Sequence, residues 1–318
     1  MIPPMPRVTI VGAGNVGTTL AQRVLYQGLA DVVLLDIIED RPQGLALDIT
    51  ESQPLEGFDC TVLGTNDYTD TAQSDIVVVA AGQPRQPGMS RADLVSINGK
   101  IVIDVVRQAI AASPEALLLV ITNPLDVMCY LAWSVSGLPP ARVMGMAGVL
   151  DAARLRTFIA AELGVPAPTV STMVLGGHGP TLVPLLGRTS VGGIPIAELL
   201  SAEQLARLVE RTRHGGSEVV KYLKTGGAFY APAAAATTMI RAILHNQSQL
   251  LPISTYVNGL YGLSDLFLGM PCRLGCNGVE SILELELSAS EQTALLASAQ
   301  SVQSVLDQAR PLLAPSFS

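Results

Sequence analysis

Charge is scarce in this chain. Only 14% of the 318 residues are Asp, Glu, Lys or Arg, and 19 basic against 27 acidic side chains leave a net charge of −8. That balance excludes nucleic acid and anionic membranes as partners, since both call for a basic face. No apolar run approaches the roughly 18 residues that span a bilayer, and residues 1–6 have neither a basic nor an apolar leader pattern. A soluble, cytoplasmic protein is therefore expected. With 49% apolar residues and so few charges, a subunit of a homo-oligomer fits better than a monomer. The four cysteines, Cys60, Cys129, Cys272 and Cys276, form neither a disulfide framework nor a Cys-x-x-Cys pair. Reduced core thiols are expected, and no metal site. The only lysines are Lys100, Lys221 and Lys224, none of them four residues after a tyrosine, which rules out a Tyr-x-x-x-Lys short-chain reductase.

Glycine, by contrast, is placed with purpose. A short β-branched run at residues 8–11 passes directly into Gly12-Ala13-Gly14-Asn15-Val16-Gly17. A helix-like stretch at 18–27 follows, then a second buried run at 32–35 that closes on Asp36. Strand, G-x-G-x-x-G, helix, strand and an acid about twenty residues on make the dinucleotide-binding fingerprint. Gly12 permits the turn, Gly14 lets backbone N–H groups approach a pyrophosphate, and Gly17 lets the helix lie close on the strand. The helix N-terminus adds partial positive charge. Asp36 can accept from both ribose hydroxyls and repels a 2′-phosphate, which favours NAD over NADP. Glycine-rich turns also serve purely as corners, and the flanking strand, helix and acid weigh against that here.

Further short buried runs fall at 61–63, 75–80, 117–122 and 142–146, with the clearest intervening helix at 92–112, which Ser90 and Asp93 could cap. Alternation of this kind implies an α/β fold, a doubly wound parallel Rossmann sheet, with ligands at the carboxyl ends of its strands. The character changes near residues 145–150, so a nucleotide-binding domain at 1–146 and an α+β substrate-binding and catalytic domain at 147–318 are expected. In the second half, 170–176 and 181–186 look like strands. Ser201 with Gln204 caps a helix running to about His214, and 231–244 is a small-residue helix. Residues 283–287 alternate like a half-exposed strand, and Ser288 with Glu291 caps a final helix.

A nicotinamide enzyme acting on an alcohol needs a group to take the hydroxyl proton as hydride leaves. Only three histidines are available. His214 and His245 each close a helix, where an imidazole can serve the last carbonyls. His178 sits in Gly176-Gly177-His178-Gly179 directly after a buried run, as an acid–base group or as a turn histidine. Asp151 and Arg154, three apart on a helix expected at 149–163, share a face. They read either as a surface ion pair or as the orienting acid of a histidine and a carboxylate-gripping guanidinium. Residues 81–91, with two arginines, two prolines and two glycines, suit a lid or a solvated loop.

Taken together, these stretches resemble the lactate/malate dehydrogenase family over nearly the whole chain, in particular its lactate-dehydrogenase-like bacterial malate dehydrogenases. The resemblance rests on Gly12–Gly17, the 82–91 loop, Thr122-Asn123-Pro124-Leu125-Asp126, Gly148-Val149-Leu150-Asp151-Ala152-Ala153-Arg154, Gly176-Gly177-His178-Gly179 and Ala228-Phe229-Tyr230-Ala231-Pro232. It implies NAD as cofactor, held by Gly12, Gly14, Asn15, Val16, Gly17, Asp36, Asn98, Thr122 and Asn123. His178 would be the acid–base group and Asp151 its partner. Arg154 would bind the C1 carboxylate of a small dicarboxylate, Arg91 would close over the substrate and polarise its carbonyl, and Asn123 would orient substrate and nicotinamide. At position 85 lactate dehydrogenases carry glutamine, whereas Arg85 can pair with the second carboxylate of malate or oxaloacetate. A buried cation left unpaired costs on the order of 2–5 kcal/mol, so pyruvate should be a poor substrate. A homodimer or homotetramer is implied. Alternatives are another 2-hydroxy acid dehydrogenase, or an NAD-binding protein with impaired catalysis. The chain departs from the family at Pro180, usually aspartate, which is expected to hold Gly179 extended, and at Cys276, often arginine.

Overall fold

The computed structural model describes residues 5–84 and 91–314, with Arg91 described by its backbone alone. Strands β1 (Arg7–Val11), β2 (Asp31–Leu35), β3 (Val62–Thr65), β4 (Ile76–Val79), β5 (Leu117–Val120) and β6 (Val143–Gly145) lie parallel in the order β3-β2-β1-β4-β5-β6. All four residues of β4 and of β5 are buried, as strands covered by helices on both faces must be. The crossovers carry α1 (Asn15–Tyr26), α2 (Arg41–Glu56), α3 (Arg91–Ala112) and α4 (Leu125–Ser136), and α5 (Gly148–Leu163) follows β6. Helices α2 and α4 lack a readable period for opposite reasons. Among the residues of α2 only Pro42, Ala46 and Ile49 are buried, while α4 is buried over its first eight residues. Ser90, expected to cap α3, lies outside the described residues.

The second half builds only two small sheets of its own and carries its longest strands into the first sheet. The strands β7 (Val170–Ser171), β8 (Val174–Leu175), β9 (Val183–Pro184), β10 (Ser190–Val191) and β11 (Ile194–Pro195) make a three-stranded sheet, β11-β10-β7, and the pair β8-β9. They are followed by α6 (Ile196–Leu199), α7 (Ala202–Arg213), α8 (Gly215–Leu223) and α9 (Tyr230–Leu244). Then β12 (Gln249–Val257), β13 (Leu266–Gly275) and β14 (Gly278–Ile282) run antiparallel and extend the first sheet through β6 to nine strands, with α10 (Ala289–Ala309) behind. The joint is narrow: Ser254 of β12 faces Gly145 of β6. A Cβ at position 145 would lie 3.0 Å from that of Ser254, so glycine is what lets the strands meet.

Three expectations fail here. The runs 170–176 and 181–186 are not continuous strands but two-residue strands separated by turns. Residues 283–287 keep their alternating burial without a strand, because Leu283 and Leu285 donate to the Pro271 carbonyl and the Tyr261 hydroxyl instead of a ladder. Cys276 is exposed, unlike the buried Cys60, Cys129 and Cys272. The expected capping boxes at Ser201/Gln204 and Ser288/Glu291 are both closed, each worth about 1 kcal/mol. Just beyond α10, Arg310 donates to Asp265 at 2.7 Å and to the Tyr130 hydroxyl at 2.8 Å, tying that helix to α4 and to the β12–β13 connection.

Candidate active site

Two glycine-rich turns build the site, the first after β1 of the parallel sheet and the second after β8 of an antiparallel pair. In the first, Gly12 takes φ +110° and packs so closely that an added Cβ would lie 2.6 Å from the Ala81 nitrogen. A Cβ on Gly17 would fall on the Gly12 carbonyl, so helix and turn are in direct backbone contact. Gly14, the N-cap of α1, is the opposite case: a Cβ there meets nothing within 4 Å. The helical ladder begins with Thr18 N–H donating to the Gly14 carbonyl at 2.9 Å, so the N–H groups of Asn15, Val16 and Gly17 precede it at the open helix end. Space beside an uncapped positive terminus fits a dinucleotide pyrophosphate.

Asp36 stands at the end of β2, where one carboxylate oxygen accepts from Ala13 N–H at 2.7 Å and the other from Ile38 N–H at 3.0 Å. The acid thus pins the glycine turn to the end of β2. Thr122 donates to the Ala81 carbonyl at 2.6 Å. Asn98, 2% exposed on α3, exchanges hydrogen bonds with Gln83 at 2.8 and 3.1 Å and donates to the Asn123 carbonyl at 2.7 Å. Its amide is engaged in lacing the loops after β4 and β5 together, while Asn123 itself is exposed. Arg85 lies outside the described residues. Arg91 opens α3, and its side chain is outside them too.

The second turn holds the imidazole. Gly176 bridges to Gly269 of β13 through both backbone hydrogen bonds, at 2.9 and 3.1 Å. Only glycine at 269 permits this, since a Cβ would sit 2.5 Å from the Gly176 oxygen. From there His178 Nδ1 reaches Asp151 Oδ2 at 2.8 Å, and Arg154 donates to Oδ1 of the same carboxylate at 3.3 Å. Asp151 is 2% exposed, His178 13% and Arg154 16% by side chain, so the triad is largely buried with its carboxylate innermost. Burial works against the imidazolium, and Arg154 adds to that. The charge and hydrogen bond of Asp151, with help from Asp126, outweigh both and hold His178 above its ordinary 6.5. Arg154 lies across the start of α8, where a Cβ on Gly215 would come within 3.0 Å of its Cδ. Gly179 takes φ +111° ahead of Pro180, not the extended geometry expected, and the His178–Asp151 pair is intact beside it.

Sequence reasoning assigned no role to three neighbours of this turn. Gly177 N–H donates to Ser298 Oγ of α10 at 2.8 Å, and His178 N–H donates to Asp126 Oδ2 of α4 at 2.9 Å. Ser254 completes the set, within hydrogen-bond distance of Asp126 Oδ1 at 2.7 Å. Burial pushes the Asp126 carboxyl above the usual carboxylate range, although the Ser254 hydroxyl and the His178 N–H favour its ionised form. Asp126 was visible as the last member of the Thr122–Asp126 motif. Nothing in the sequence connects Ser254 or Ser298 with His178.

The described residues contain no cluster of acidic, histidine or cysteine side chains able to hold a metal ion, and no helix long and apolar enough to cross a membrane. Residues 6–145 match the NAD binding domain of lactate/malate dehydrogenase, and residues 148–312 match the alpha/beta C-terminal domain of the same family. The chain is 59% identical to a malate dehydrogenase from Trichormus variabilis over 96% of its own length and 94% of the relative's. Among solved structures, a malate dehydrogenase from Salinibacter ruber superposes with TM-score 0.92 at 47% identity, covering 96% of this chain and 98% of that one. A Cryptosporidium parvum lactate dehydrogenase complexed with lactic acid and NAD superposes with TM-score 0.93 at 42% identity, covering 99% and 100%.

Proposed function

The chain belongs to the lactate/malate dehydrogenase family, and on that footing we propose how its residues divide the work of a reversible NAD-dependent oxidation of (S)-malate to oxaloacetate. The cofactor supplies the acceptor for the hydride that leaves C2. Asn15, Val16 and Gly17 offer backbone N–H groups to its pyrophosphate, Gly12 and Gly14 keep the turn compact and open, and Asp36 takes the ribose hydroxyls. Asn98, Thr122 and Asn123 shape the nicotinamide end, Asn98 through the loops it joins.

His178 takes the hydroxyl proton on Nε2, because Nδ1 is engaged by Asp151. The Asp151 carboxylate stabilises the imidazolium so formed, and in the reverse direction the same imidazolium protonates the carbonyl oxygen. Arg154 grips the C1 carboxylate, Arg85 the C4 carboxylate, and Arg91 closes over the carbonyl, on the strength of their positions in the family's motifs. Pairing of His178 and Arg154 on opposite oxygens of one buried carboxylate is the observation that supports this reading most directly. It sets a proton acceptor and an anion-binding cation on a common support, as a 2-hydroxy acid requires.

The likeness to a lactate dehydrogenase makes a monocarboxylate the second reading, and position 85 separates the two. Arg85→Gln should raise pyruvate turnover relative to oxaloacetate, assayed with saturating NADH; the wild type should discriminate by roughly 30-fold to several-thousand-fold. An unchanged ratio overturns the assignment of Arg85. We further assign the nucleotide domain to residues 1–146 and the substrate domain to 147–318. The chain acts as a homodimer or homotetramer in the cytoplasm, where its low charge and apolar content fit a subunit with a covered face.

A further inference from the structure

His178 is held from two sides, and only one of them is the family's acid. Its ring is fixed by Asp151, but its backbone is fixed by a second carboxylate, Asp126, 5% exposed in the first turn of α4. We propose that Asp126 is a positioning residue for His178, resting on the reading of that histidine as the acid–base group: by taking the His178 N–H on Oδ2 and pairing Oδ1 with the Ser254 hydroxyl, it sets the peptide from which the imidazole reaches both Asp151 and the substrate.

The geometry argues for a built support. Two consecutive N–H groups of the histidine turn are taken by side chains from two different helices, Gly177 by Ser298 at 2.8 Å and His178 by Asp126 at 2.9 Å. The glycines are shaped to allow it. A Cβ on Gly176 would lie 2.8 Å from Ser298 Oγ, and one on Gly177 would lie 2.7 Å from Val302 Cγ2 and 3.5 Å from Asp126 Oδ2. Downstream, Pro180 has no N–H to give, and Gly179 is turned to φ +111°. There the turn is held through its carbonyl, where Gly179 accepts from Leu182 N–H at 3.2 Å, and its upstream N–H groups are held by Ser298 and Asp126. A carboxylate is the right acceptor for such a post: a charge-assisted bond to N–H is shorter and about twice as strong as a neutral one. Its burial is tolerable because both oxygens find partners. A shift of about 1 Å in a catalytic group can cost on the order of 100-fold in rate, so a group that locks the histidine peptide bears directly on turnover.

The charged groups facing His178 among the described residues are Asp151 and Arg154 from α5 and Asp126 from α4. The neighbouring groups from β12 and α10, Ser254 and Ser298, are neutral. Removal of the Asp126 charge thus withdraws one of two anions that favour the imidazolium.

The test compares Asp126→Asn, Ser254→Ala and His178→Asn in the full chain, by steady-state rates in both directions, pH profiles of malate oxidation and NADH titration. Asp126→Asn keeps one acceptor oxygen but loses the charge. We expect kcat to fall by about 10- to 100-fold, with KM and NADH affinity within a few-fold of wild type and the pH midpoint of malate oxidation moved down. Ser254→Ala, which leaves Oδ1 unpaired, should lower kcat in the same sense by a smaller factor, and it carries the test if the asparagine variant does not fold. The proposal is overturned if the folded Asp126 or Ser254 variants turn over at the wild-type rate with an unmoved pH midpoint, or if only their thermal midpoint changes. His178→Asn separates this from the parent reading. An inactive His178→Asn beside a fully active Asp126→Asn removes Asp126 alone, whereas an active His178→Asn removes the acid–base assignment itself.

Discussion

Two glycine-rich turns build this site, and they use glycine in opposite ways. At 12–17 the glycines bring backbone against backbone and leave an open space at Gly14, where an added methyl group would touch nothing in the protein. At 176 and 177 they draw side chains in from α10 and α4 until that side of the turn is clamped, while a Cβ on Gly179 would meet nothing within 4 Å. The first is built to receive a ligand, the second to keep one of its own residues still. The same residue type therefore leaves open space at Gly14 and makes a close contact at Gly177, and only the neighbours distinguish them.

Substitutions can break this contrast. The largest effect is expected from Gly17→Ala, whose Cβ would fall on the Gly12 carbonyl. Overpacking of backbone on backbone should cost on the order of 3 kcal/mol and abolish NADH binding, seen as a lowered thermal midpoint and a flat titration. Gly177→Ala, pressed against Val302 Cγ2 at 2.7 Å, should lower kcat by about 10- to 100-fold while NADH titrates nearly as in wild type. Gly14→Ala should do the reverse. With no protein atom in the way, stability holds, but NADH affinity drops about 10-fold, or roughly 1.4 kcal/mol, with kcat little changed.

The pH profile sharpens the contrast further. Oxidation of malate needs neutral His178, so its rate should rise with pH through a midpoint above 6.5, and oxaloacetate reduction, which needs the imidazolium, should fall through the same midpoint. Asp151→Asn should move both limbs to lower pH, because the carboxylate that favours the charged ring is gone. The smallest effect is expected from Gly215→Ala. Alanine suits the start of a helix better than glycine, yet its Cβ would stand 3.0 Å from Arg154 Cδ, against 3.6 Å to Arg154 Nη2 for a Cβ at Gly216. KM for oxaloacetate should rise about 3-fold, with kcat unchanged, and Gly216→Ala serves as the near-neutral comparison.

What the sequence disclosed follows the range of the interactions involved. The 12–17 turn, its strand and its helix are local, and the spacing of glycines to Asp36 was enough to read them. Asp151 and Arg154 were legible because a helix puts residues three apart on one face. The antiparallel strands β12 and β13 were hidden by their own composition: Pro252 pairs with Pro271 in the middle of the ladder, where proline is disfavoured. Their glycine, Gly269, makes sense only beside Gly176, more than ninety residues upstream. Likewise Asp126, Ser254 and Ser298 converge on one turn from three separate elements, and no periodicity within any of them announces it. Position 283–287 misled because alternation records which side chains face inward, not whether the backbone has a partner.

The joint at Ser254 and Gly145 has a practical corollary. One residue stitches the antiparallel extension to the parallel strands and also supports the carboxylate beneath the histidine turn. Prising that seam apart, by moderate heat or low denaturant, would idle the catalyst while most of the nucleotide-binding half still stands, so loss of activity should run ahead of global melting.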